Sequence, residues 1–269
     1  MGKLIILSGP SGVGKGPMVN TLSIYLKSIG KALTKHVLYT TREIRKATGE
    51  VHGESYWFSY LMNVPASSHY SHPYNRNLAE QDLITIQQKA KNNNEKFDIF
   101  PVQSDQNQGI NYSVLLNELN SKDVVLLEIF QKKVNDVVQF CKENGIEVKI
   151  VFISPLSDED YKALGCCTKK RRAIATEATM IVKLRSRGTE SEDNLKKRAK
   201  KAIQEVEEAR KRRKKDVYIV NHFGEDMKSA WNLLQQRVAK NPHHYDQKTF
   251  SLTEEIDKTF REFLEKVFL

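Results

Sequence analysis

Short, continuous apolar runs alternate along this chain with segments whose apolar residues recur at helical spacing. The apolar runs have the length of strands, and they predict strands at 4–7, 35–39, 124–129, 148–153 and 217–220. The segments of helical spacing predict helices at 18–28, 79–91, 112–119, 134–144, 194–215, 228–238 and 252–268. Strands and helices that alternate in this way form a parallel sheet with helices on both faces, so the pattern predicts an α/β fold.

The first predicted strand leads into a glycine-rich loop and then into the first helix. Gly9, Gly14 and Lys15 have the spacing of a phosphate-binding loop, in the strand-to-helix context that this motif requires. Glycines let backbone amides converge, the helix N-terminus adds partial positive charge, and the lysine neutralises outer phosphates. The residues expected to bind nucleotide phosphates are Gly9, Ser11, Gly12, Val13, Gly14, Lys15 and Gly16. An ordinary glycine-rich turn is the alternative interpretation.

The position after the lysine departs from the general phosphate-loop motif. That motif carries Ser or Thr there, whose hydroxyl reaches Mg²⁺, whereas this chain has Gly16 followed by Pro17. Proline is accommodated in a first helical turn, but it removes one amide hydrogen from the cradle. The sequence therefore predicts phosphate binding without assigning any direct protein ligand to a metal ion.

A second group of phosphate-binding residue types follows the second predicted strand. Arg42 and Arg45 are three residues apart, and Tyr56 lies beyond them. Arginine binds phosphate oxygens through two parallel hydrogen bonds, and a tyrosine hydroxyl supplies another donor. A site for a second phosphate and a polar hairpin with solvated arginines are equally good interpretations of these residues alone.

The charge balance favours anionic partners, since 43 Lys+Arg stand against 33 Asp+Glu, a formal net charge of +10. The basic run at 210–215 is either a nucleic-acid patch or the exposed end of one helix, and we favour the exposed end. No apolar run reaches the length of about 18 residues that a membrane span needs, and we expect no signal peptide. The three cysteines have no disulfide or metal spacing, which fits a reducing cytoplasm.

Three stretches together resemble the guanylate kinase family. They are GPSGVGKG at 9–16, TTREIR at 40–45 with GEVHGESYWF at 49–58, and RGTE at 187–190 with Arg198 and the VN at 220–221. They occur in family order between residue 4 and about residue 238. The resemblance implies a kinase domain at 1–240, with an acceptor-nucleotide excursion at about 38–111 and a helical lid at about 157–215, followed by a C-terminal helical extension at 241–269.

The resemblance also implies roles on the ATP side. Lys15 would bind the ATP phosphates, and Asn221 would lie beside the adenine. Arg187 and Arg198 would line the lid and act with Lys15 as catalytic residues. The implied cofactors are ATP and Mg²⁺.

On the acceptor side, the resemblance implies that Arg42, Arg45 and Tyr56 hold the phosphate of GMP. Glu128 matches the first acidic residue of the pair that follows a central strand in the family. The guanine-reading residues have no clear match, and the candidates are Asp98, Tyr112 and Ser113.

Several positions depart from the family pattern. Phe130 stands at the second acidic position after the strand, Lys183 replaces a lid arginine, and Leu38 replaces a serine near the GMP phosphate. An extra segment at about 165–180 precedes the lid arginines.

The sequence thus predicts an ATP-dependent nucleoside monophosphate kinase acting on GMP, with small nucleotides as its partners and a homo-oligomer left open. Two other classes stay open: a non-catalytic guanylate-kinase-like binding module, and a basic protein associated with nucleic acid. Lys15 argues against the module, whereas Pro17 and Phe130 argue for it. Salt-dependent binding to arbitrary oligonucleotides would identify the third class.

Overall fold

The structure is a computed structural model. It describes residues 1–46, 49–103, 106–156, 161, 166, 168–185, 191–212 and 217–220. The helices predicted at 228–238 and 252–268, and the site residues Arg187 and Asn221, lie outside these residues.

The first strand, loop and helix form in the predicted order. Strand β1 spans Lys3–Ser8, and helix α1 spans Lys15–Ser28. The helix begins directly after Gly14, which adopts the left-handed conformation at φ 98° and ψ 36°. Glycine adopts this conformation without the steric cost that a Cβ brings, so it can end the loop abruptly. The helix therefore starts earlier than the predicted residue 18.

The main sheet has five strands in the order β2-β7-β1-β8-β9. Its other members are β2 at Leu33–His36, β7 at Val124–Glu128, β8 at Val148–Ser154 and β9 at Val217–Val220. Residues 124–127 are 0 % exposed, as expected for an apolar run covered on both faces. Strand β9 runs parallel to β8, with Val217 opposite Val151. This parallel sheet flanked by helices confirms the predicted fold class.

A second sheet has four strands in the order β4-β3-β6-β5. Strand β3 spans Tyr39–Thr40, β4 spans Trp57–Phe58, β5 spans Phe97–Gln103 and β6 spans Gln106–Asn111. The predicted strand at 35–39 is in fact divided, because β2 ends at residue 36 and residues 39 and 40 pair in this other sheet. Strands β5 and β6 were not predicted. They lie within the segment for which the sequence predicts the acceptor excursion.

Three further helices follow in the chain, and two of them begin with a side-chain cap. Helix α2 spans Arg76–Asn92, and the side chain of Asn75 accepts a hydrogen bond from the amide of Leu78. Helix α3 spans Tyr112–Ser121, and the side chain of Asn111 accepts from two amides of the first turn. Such caps satisfy donors that have no partner inside the helix. Helix α4 spans Val134–Glu143 and follows a short 3₁₀ turn at Gln131–Lys133.

Two long helices fall in the range predicted for the lid. Helix α5 spans Lys169–Arg185, and helix α6 spans Glu192–Arg212. They pack on each other through a cluster of buried apolar residues: Met180, Ile181, Leu184, Leu195, Ala199 and Ala202. The extra segment at about 165–180 is thus mostly the first part of one continuous helix. No helix of the described residues is long and apolar enough to cross a membrane.

The chain divides into two compact units. The first unit comprises Met1–Leu4, Thr34–Glu128 and Gly145–Glu147. The second unit comprises the described parts of Ile5–Leu33, Ile129–Asn144 and Val148–Leu269. The second unit contains the glycine-rich loop, whereas the first contains the four-stranded sheet and Arg42.

Candidate functional site

The glycine-rich loop in the second unit has the backbone that its sequence predicts. Gly9 has φ 145°, and a Cβ at this position would lie 2.5 Å from the carbonyl oxygen of Ile153 in β8. Only glycine fits so close to a neighbouring strand at a positive φ. The amide of Val13 donates to the carbonyl of Pro10 over 3.1 Å, which closes a turn in the loop. The backbone is therefore folded tightly between β1 and the start of α1.

The side chain of Lys15 folds back over this loop. Its Nζ donates to the carbonyl oxygen of Gly9 over 2.8 Å and to that of Pro10 over 3.2 Å. The ammonium thus lies beside the backbone that is expected to cradle phosphate. Phosphate oxygens are stronger acceptors for an ammonium group than neutral carbonyls are, so they would compete well for these donors.

The residues around the loop do not fit a metal ion held directly by protein. Gly16 is exposed and has no side chain, and Phe130 occupies the position where an acidic ligand is expected. The hydroxyl of Ser8 donates to Gln131 Oε1 over 2.8 Å and is already engaged. Within the described part of the chain, no group of three or more His, Cys, Asp or Glu side chains could hold a metal ion. The described residues therefore provide no cluster of acidic ligands for a metal ion at the loop.

Helix α6 brings a predicted lid arginine to the loop. Arg198 donates from Nη2 to the hydroxyl of Ser11, which is one of the predicted ATP-binding residues. The structure therefore joins Arg198 to the loop that carries Lys15. The matching expectations for Arg187 and Asn221 remain predictions, because both residues lie outside the described part of the chain.

The first unit contains a separate cationic cluster around Arg42. Arg42 is 7 % exposed, and its guanidinium binds the carboxylate of Glu50 through two hydrogen bonds, Nη1 to Oε2 over 2.6 Å and Nη2 to Oε1 over 2.5 Å. The backbone amide of Arg45 donates to the same carboxylate over 2.8 Å. Burial acts to raise the pKa of Glu50, but the hydrogen bonds and charge of Arg42 outweigh it, so the net pKa is lowered. Glu50 is ionised, and it orients Arg42 and the turn that contains Arg45.

Tyr56 and Glu128 belong to the same cluster. The guanidinium carbon of Arg42 lies 4.8 Å from the centre of the Tyr56 ring, within the range of a cation–π contact. Burial raises the pKa of Tyr56 to about 12, and the negative charge of Glu128 adds to that effect. The phenol therefore keeps its proton and remains a hydrogen-bond donor at neutral pH. The structure thus brings together the four residues that the resemblance assigned to the acceptor side.

The frame of this cluster is built from aromatic side chains. The Arg42 guanidinium also lies 5.3 Å from the Phe58 ring, and Phe58 is fully buried. The hydroxyl of Tyr60 accepts from the amide of Ile44, and that of Tyr74 donates to the carbonyl of Thr41. These contacts fix the segment on both sides of Arg42.

The candidates for guanine recognition are in part engaged elsewhere. Tyr112 is 1 % exposed, and the ammonium of Lys96 lies 5.2 Å from its ring centre. The hydroxyl of Ser113 accepts from the amide of Lys96 over 3.0 Å. Asp98 lies on β5 opposite Ile110. Tyr112 and Ser113 thus contribute to the local fold.

The structure places three residues at these sites that the sequence did not predict there. Glu50 belongs to the GEVHG stretch that carries the resemblance, and its spacing of eight residues from Arg42 gives no sign of their ion pair. Gln131 follows Phe130 and has no recognisable motif. Glu205 is buried on α6, in a highly charged sequence that gives no sign of its burial.

The parallel sheet, together with the glycine-rich loop between its first strand and first helix, defines an α/β protein of the P-loop class. Within that class, the guanylate kinase family model matches residues 1–66. Over 226 residues, the chain is 26 % identical to a guanylate kinase of Trichormus variabilis, with 82 % of each chain covered. Over 239 residues it is 23 % identical to a guanylate kinase of Mycoplasmoides gallisepticum, covering 89 % of this chain and 93 % of that one.

A solved structure of guanylate kinase from Anaplasma phagocytophilum is 19 % identical to this chain. The alignment of the two structures covers 95 % of this chain and 96 % of the other, with a TM-score of 0.44. The predicted resemblance to the guanylate kinase family is confirmed by the family model and the sequence relatives.

Proposed function

We propose that this protein is an ATP-dependent nucleoside monophosphate kinase that acts on GMP in the cytoplasm, converting ATP and GMP to ADP and GDP. The observation that carries the proposal is that Arg42, Arg45 and Tyr56 lie in one cluster in the first unit. Arg42 contacts the Tyr56 ring, and Arg42 and the amide of Arg45 bind the same carboxylate. The second unit independently contains a phosphate loop with its lysine. A chain with two separate groups of phosphate-binding residues suits a reaction between two nucleotides.

On the ATP side, the loop amides and the N-terminus of α1 bind the phosphates through backbone groups. Lys15 leaves the carbonyls of Gly9 and Pro10 and turns its ammonium toward the outer phosphates. Arg198 is held at the loop through Ser11, so its guanidinium needs little movement to reach the same phosphates.

On the acceptor side, the buried guanidinium of Arg42 is fixed by Glu50 and by the Tyr56 ring. Two of its nitrogens are engaged with Glu50, so phosphate binding uses its remaining donor capacity or displaces that carboxylate. Tyr56 supplies a protonated hydroxyl, and the exposed side chain of Arg45 supplies further charge. The specificity for GMP rests on the family resemblance.

Phosphoryl transfer of this kind requires positioning and charge neutralisation rather than covalent catalysis. Lys15 and Arg198, with Arg187, would neutralise the charge that spreads over the oxygens of the transferred group. The resemblance implies Mg²⁺ as the companion of ATP. Mg²⁺ commonly binds substrate phosphates and water with few protein ligands, so it would accompany ATP without a cluster of acidic side chains.

A coupled assay of ADP formation tests the proposal, with GMP, dGMP, AMP, UMP and CMP as separate acceptors. We expect ADP formation that depends on the acceptor, with the highest kcat/KM for GMP. Preference for another monophosphate would contradict the assignment of GMP alone. ATP binding without acceptor-dependent turnover would favour the non-catalytic module, and salt-dependent binding to arbitrary oligonucleotides would favour the nucleic-acid protein.

A further inference from the structure

Glu205 is a buried carboxylate that the proposed mechanism does not use. It is 6 % exposed and lies in the middle of α6. Residues four and seven positions apart share one face of a helix, so Glu205 lies on the same face as Lys201 and Arg198. A charged residue is rarely buried to this degree unless other groups compensate its charge.

That face of α6 lies along the glycine-rich loop. Arg198 donates to the Ser11 hydroxyl, and the ammonium of Lys201 lies 4.3 Å from the centre of the Phe130 ring. Phe130 adjoins Gln131, which accepts a hydrogen bond from Ser8, the last residue before the loop. Arg198 therefore contacts the loop itself. Lys201 contacts the segment 130–131, which binds the residue just before the loop.

Charges from more than one element face Glu205. From α1, Lys15 attracts its carboxylate, as do Lys201 and Arg198 on its own helix, while Glu208 repels it. Lys132, from the 3₁₀ turn, repels the charge of Lys201 and so belongs to the same set of interacting charges. Burial raises the pKa of Glu205 to about 7, against the opposing effect of Lys15 and Lys201. Burial thus favours the neutral form of this carboxyl, and the nearby cations oppose that effect.

We propose that Glu205 is a positioning residue for Lys15: its carboxylate balances the lysine charge while the loop is empty, and takes up a proton from solvent when polyphosphate binds. In this step the carboxylate and one solvent proton give the neutral acid. Protons that the phosphate itself gains or loses on binding are common to the unmodified chain and to Glu205→Gln, so the difference between the two reports Glu205. Bound phosphate oxygens engage Lys15 and bring negative charge toward Glu205, and both effects favour the neutral form. Neutralisation removes the repulsion that a buried carboxylate would otherwise exert on the phosphates.

The inference rests on the proposed function only in that polyphosphate must bind at the loop. Calorimetric titration therefore uses two probes, ATP and inorganic tripolyphosphate, in EDTA and in two buffers of different ionisation enthalpy. The difference between buffers gives the number of protons taken up. At pH 7.5, a group with a pKa of about 7 is about three-quarters ionised, so uptake attributable to Glu205 reaches at most about three-quarters of a proton.

The matched variants are Glu205→Gln and Asp193→Asn, the second being an exposed acid on the same helix. We expect Asp193→Asn to take up as many protons as the unmodified chain, and Glu205→Gln to take up fewer. Between pH 7 and 8.5, affinity in the unmodified chain should fall by up to about tenfold per pH unit, and Glu205→Gln should lose most of that dependence. Equal proton uptake and equal pH dependence in Glu205→Gln would overturn the proposal. A uniform loss of affinity with unchanged proton uptake would also overturn it, since that is the signature of a purely structural role.

A measurement on the unmodified chain covers the case in which the variant does not fold. With glutamate labelled at the side-chain carboxyl carbon, NMR should show a resonance that titrates near pH 7 and moves to higher pH with tripolyphosphate. No such resonance, or one that tripolyphosphate leaves unmoved, contradicts the proposal.

The outcomes also separate this proposal from the proposed function. Proton-linked tripolyphosphate binding without any phosphoryl transfer would support the role of Glu205 and refute the kinase. GDP formation without Glu205-dependent proton uptake would refute the role of Glu205 alone. Failure of both probes to bind in EDTA would refute the role of Glu205, and absence of transfer from Mg·ATP would refute the kinase.

Discussion

The two units hold their principal cations in different ways. In the second unit, Lys15 donates to the neutral carbonyls of Gly9 and Pro10. In the first unit, Arg42 forms an ion pair with Glu50, which also accepts from the amide of Arg45. A neutral carbonyl is readily replaced by a phosphate oxygen, whereas a carboxylate that makes charged hydrogen bonds is not. The loop is thus ready to exchange partners, while the acceptor cluster is already ordered around an internal anion.

The comparison also explains what each site needs from the sequence. The loop is made mostly of backbone groups, whose course is fixed by local glycines. The acceptor cluster depends on side chains from separate segments that meet only in the folded chain. Substitution of one lysine should therefore impair the loop, whereas the acceptor cluster should be impaired by loss of any of several interacting side chains.

Lys15→Ala should have the largest effect. We expect a loss of transition-state stabilisation of about 3 kcal/mol or more, because the variant removes a charge from the developing phosphoryl group. The melting temperature should change little, since the lost hydrogen bonds are to carbonyls of the loop itself. Steady-state kinetics and thermal unfolding measure both quantities, and Lys27→Ala, at an exposed position of α1, is the control. Turnover near that of the unmodified chain would remove the loop from the mechanism.

Arg42→Ala should raise the KM for GMP about tenfold to a hundredfold and change that for ATP much less. This range corresponds to the loss of about 1.5–3 kcal/mol, the usual contribution of a hydrogen bond to a charged group. Unlike Lys15→Ala, it should also lower the melting temperature, because Glu50 is left partly buried without its partner. Arg76→Ala, an exposed arginine of the same unit, serves as the control.

Arg45→Ala should raise the KM for GMP to a smaller degree and leave the melting temperature unchanged. Its contact with Glu50 is made by the backbone amide, which this substitution retains. If Arg42→Ala and Arg45→Ala weakened ATP binding alone, the assignment of the acceptor site would be wrong.

The sequence predicted the loop more completely than the acceptor cluster, because the loop is a local structure and the cluster is assembled from separate segments. Gly9, Gly14 and Lys15 act through neighbours in the chain, so their spacing alone predicts the local geometry. The ion pair of Arg42 with Glu50 and the approach of Glu128 to Tyr56 depend on tertiary structure.

The same reasoning applies to the strands. Residues 124–127 form an unbroken apolar run, which predicts a buried strand directly. Strand β6 has the polar sequence QNQGIN, and its pairing with β3 and β5 decides its conformation. A Cβ at Gly109 would lie 2.7 Å from the ring of Phe97, so the glycine admits that ring across the pair. Strand formation of this kind follows from packing and not from intrinsic preference.

Arg198→Lys should lower kcat by roughly tenfold, which corresponds to about 1.4 kcal/mol, with modest changes in both KM values. Lysine keeps the charge and loses the planar fork that contacts Ser11. Lys200→Ala, at an exposed position on the same helix, is the control. An unchanged kcat in Arg198→Lys would contradict a direct role for the guanidinium.

Pro17→Thr should tighten binding of Mg·ATP by about 1 kcal/mol, the usual net contribution of one hydrogen bond. Threonine restores an amide hydrogen in the first turn of α1 and adds a hydroxyl that the present loop lacks. Calorimetric titration with Mg²⁺ and with EDTA should show the larger gain with Mg²⁺. Equal or weaker affinity in the variant means that the missing groups are not needed here.

His52 should have an effect that is confined to the first unit and to acid pH. Burial, with a smaller contribution from the charge of His69, lowers the pKa of His52 to about 4. In the folded chain its Nδ1 accepts from the amide of Phe58 over 3.2 Å, and protonation would abolish this bond. The folded pKa lies below that of the unfolded chain, so stability should decrease as pH falls from about 6.5 toward 4.

The fluorescence of Trp57 can report this change, because its ring lies 5.2 Å from that of His52. In a Trp231→Phe background, the acid transition should have its midpoint near the pKa of His52, about 4. A midpoint near 6.5 would show that His52 is not held neutral by its surroundings.

The most direct measurement follows the phosphoryl group itself. ATP labelled with ³²P at the γ-position is incubated with GMP and the protein, and the products are separated by chromatography. We predict that the label appears in GDP, and that Lys15→Ala and Arg42→Ala both reduce this product. Label that remains in ATP, or that appears only as inorganic phosphate, would contradict the assignment of this chain as a nucleoside monophosphate kinase.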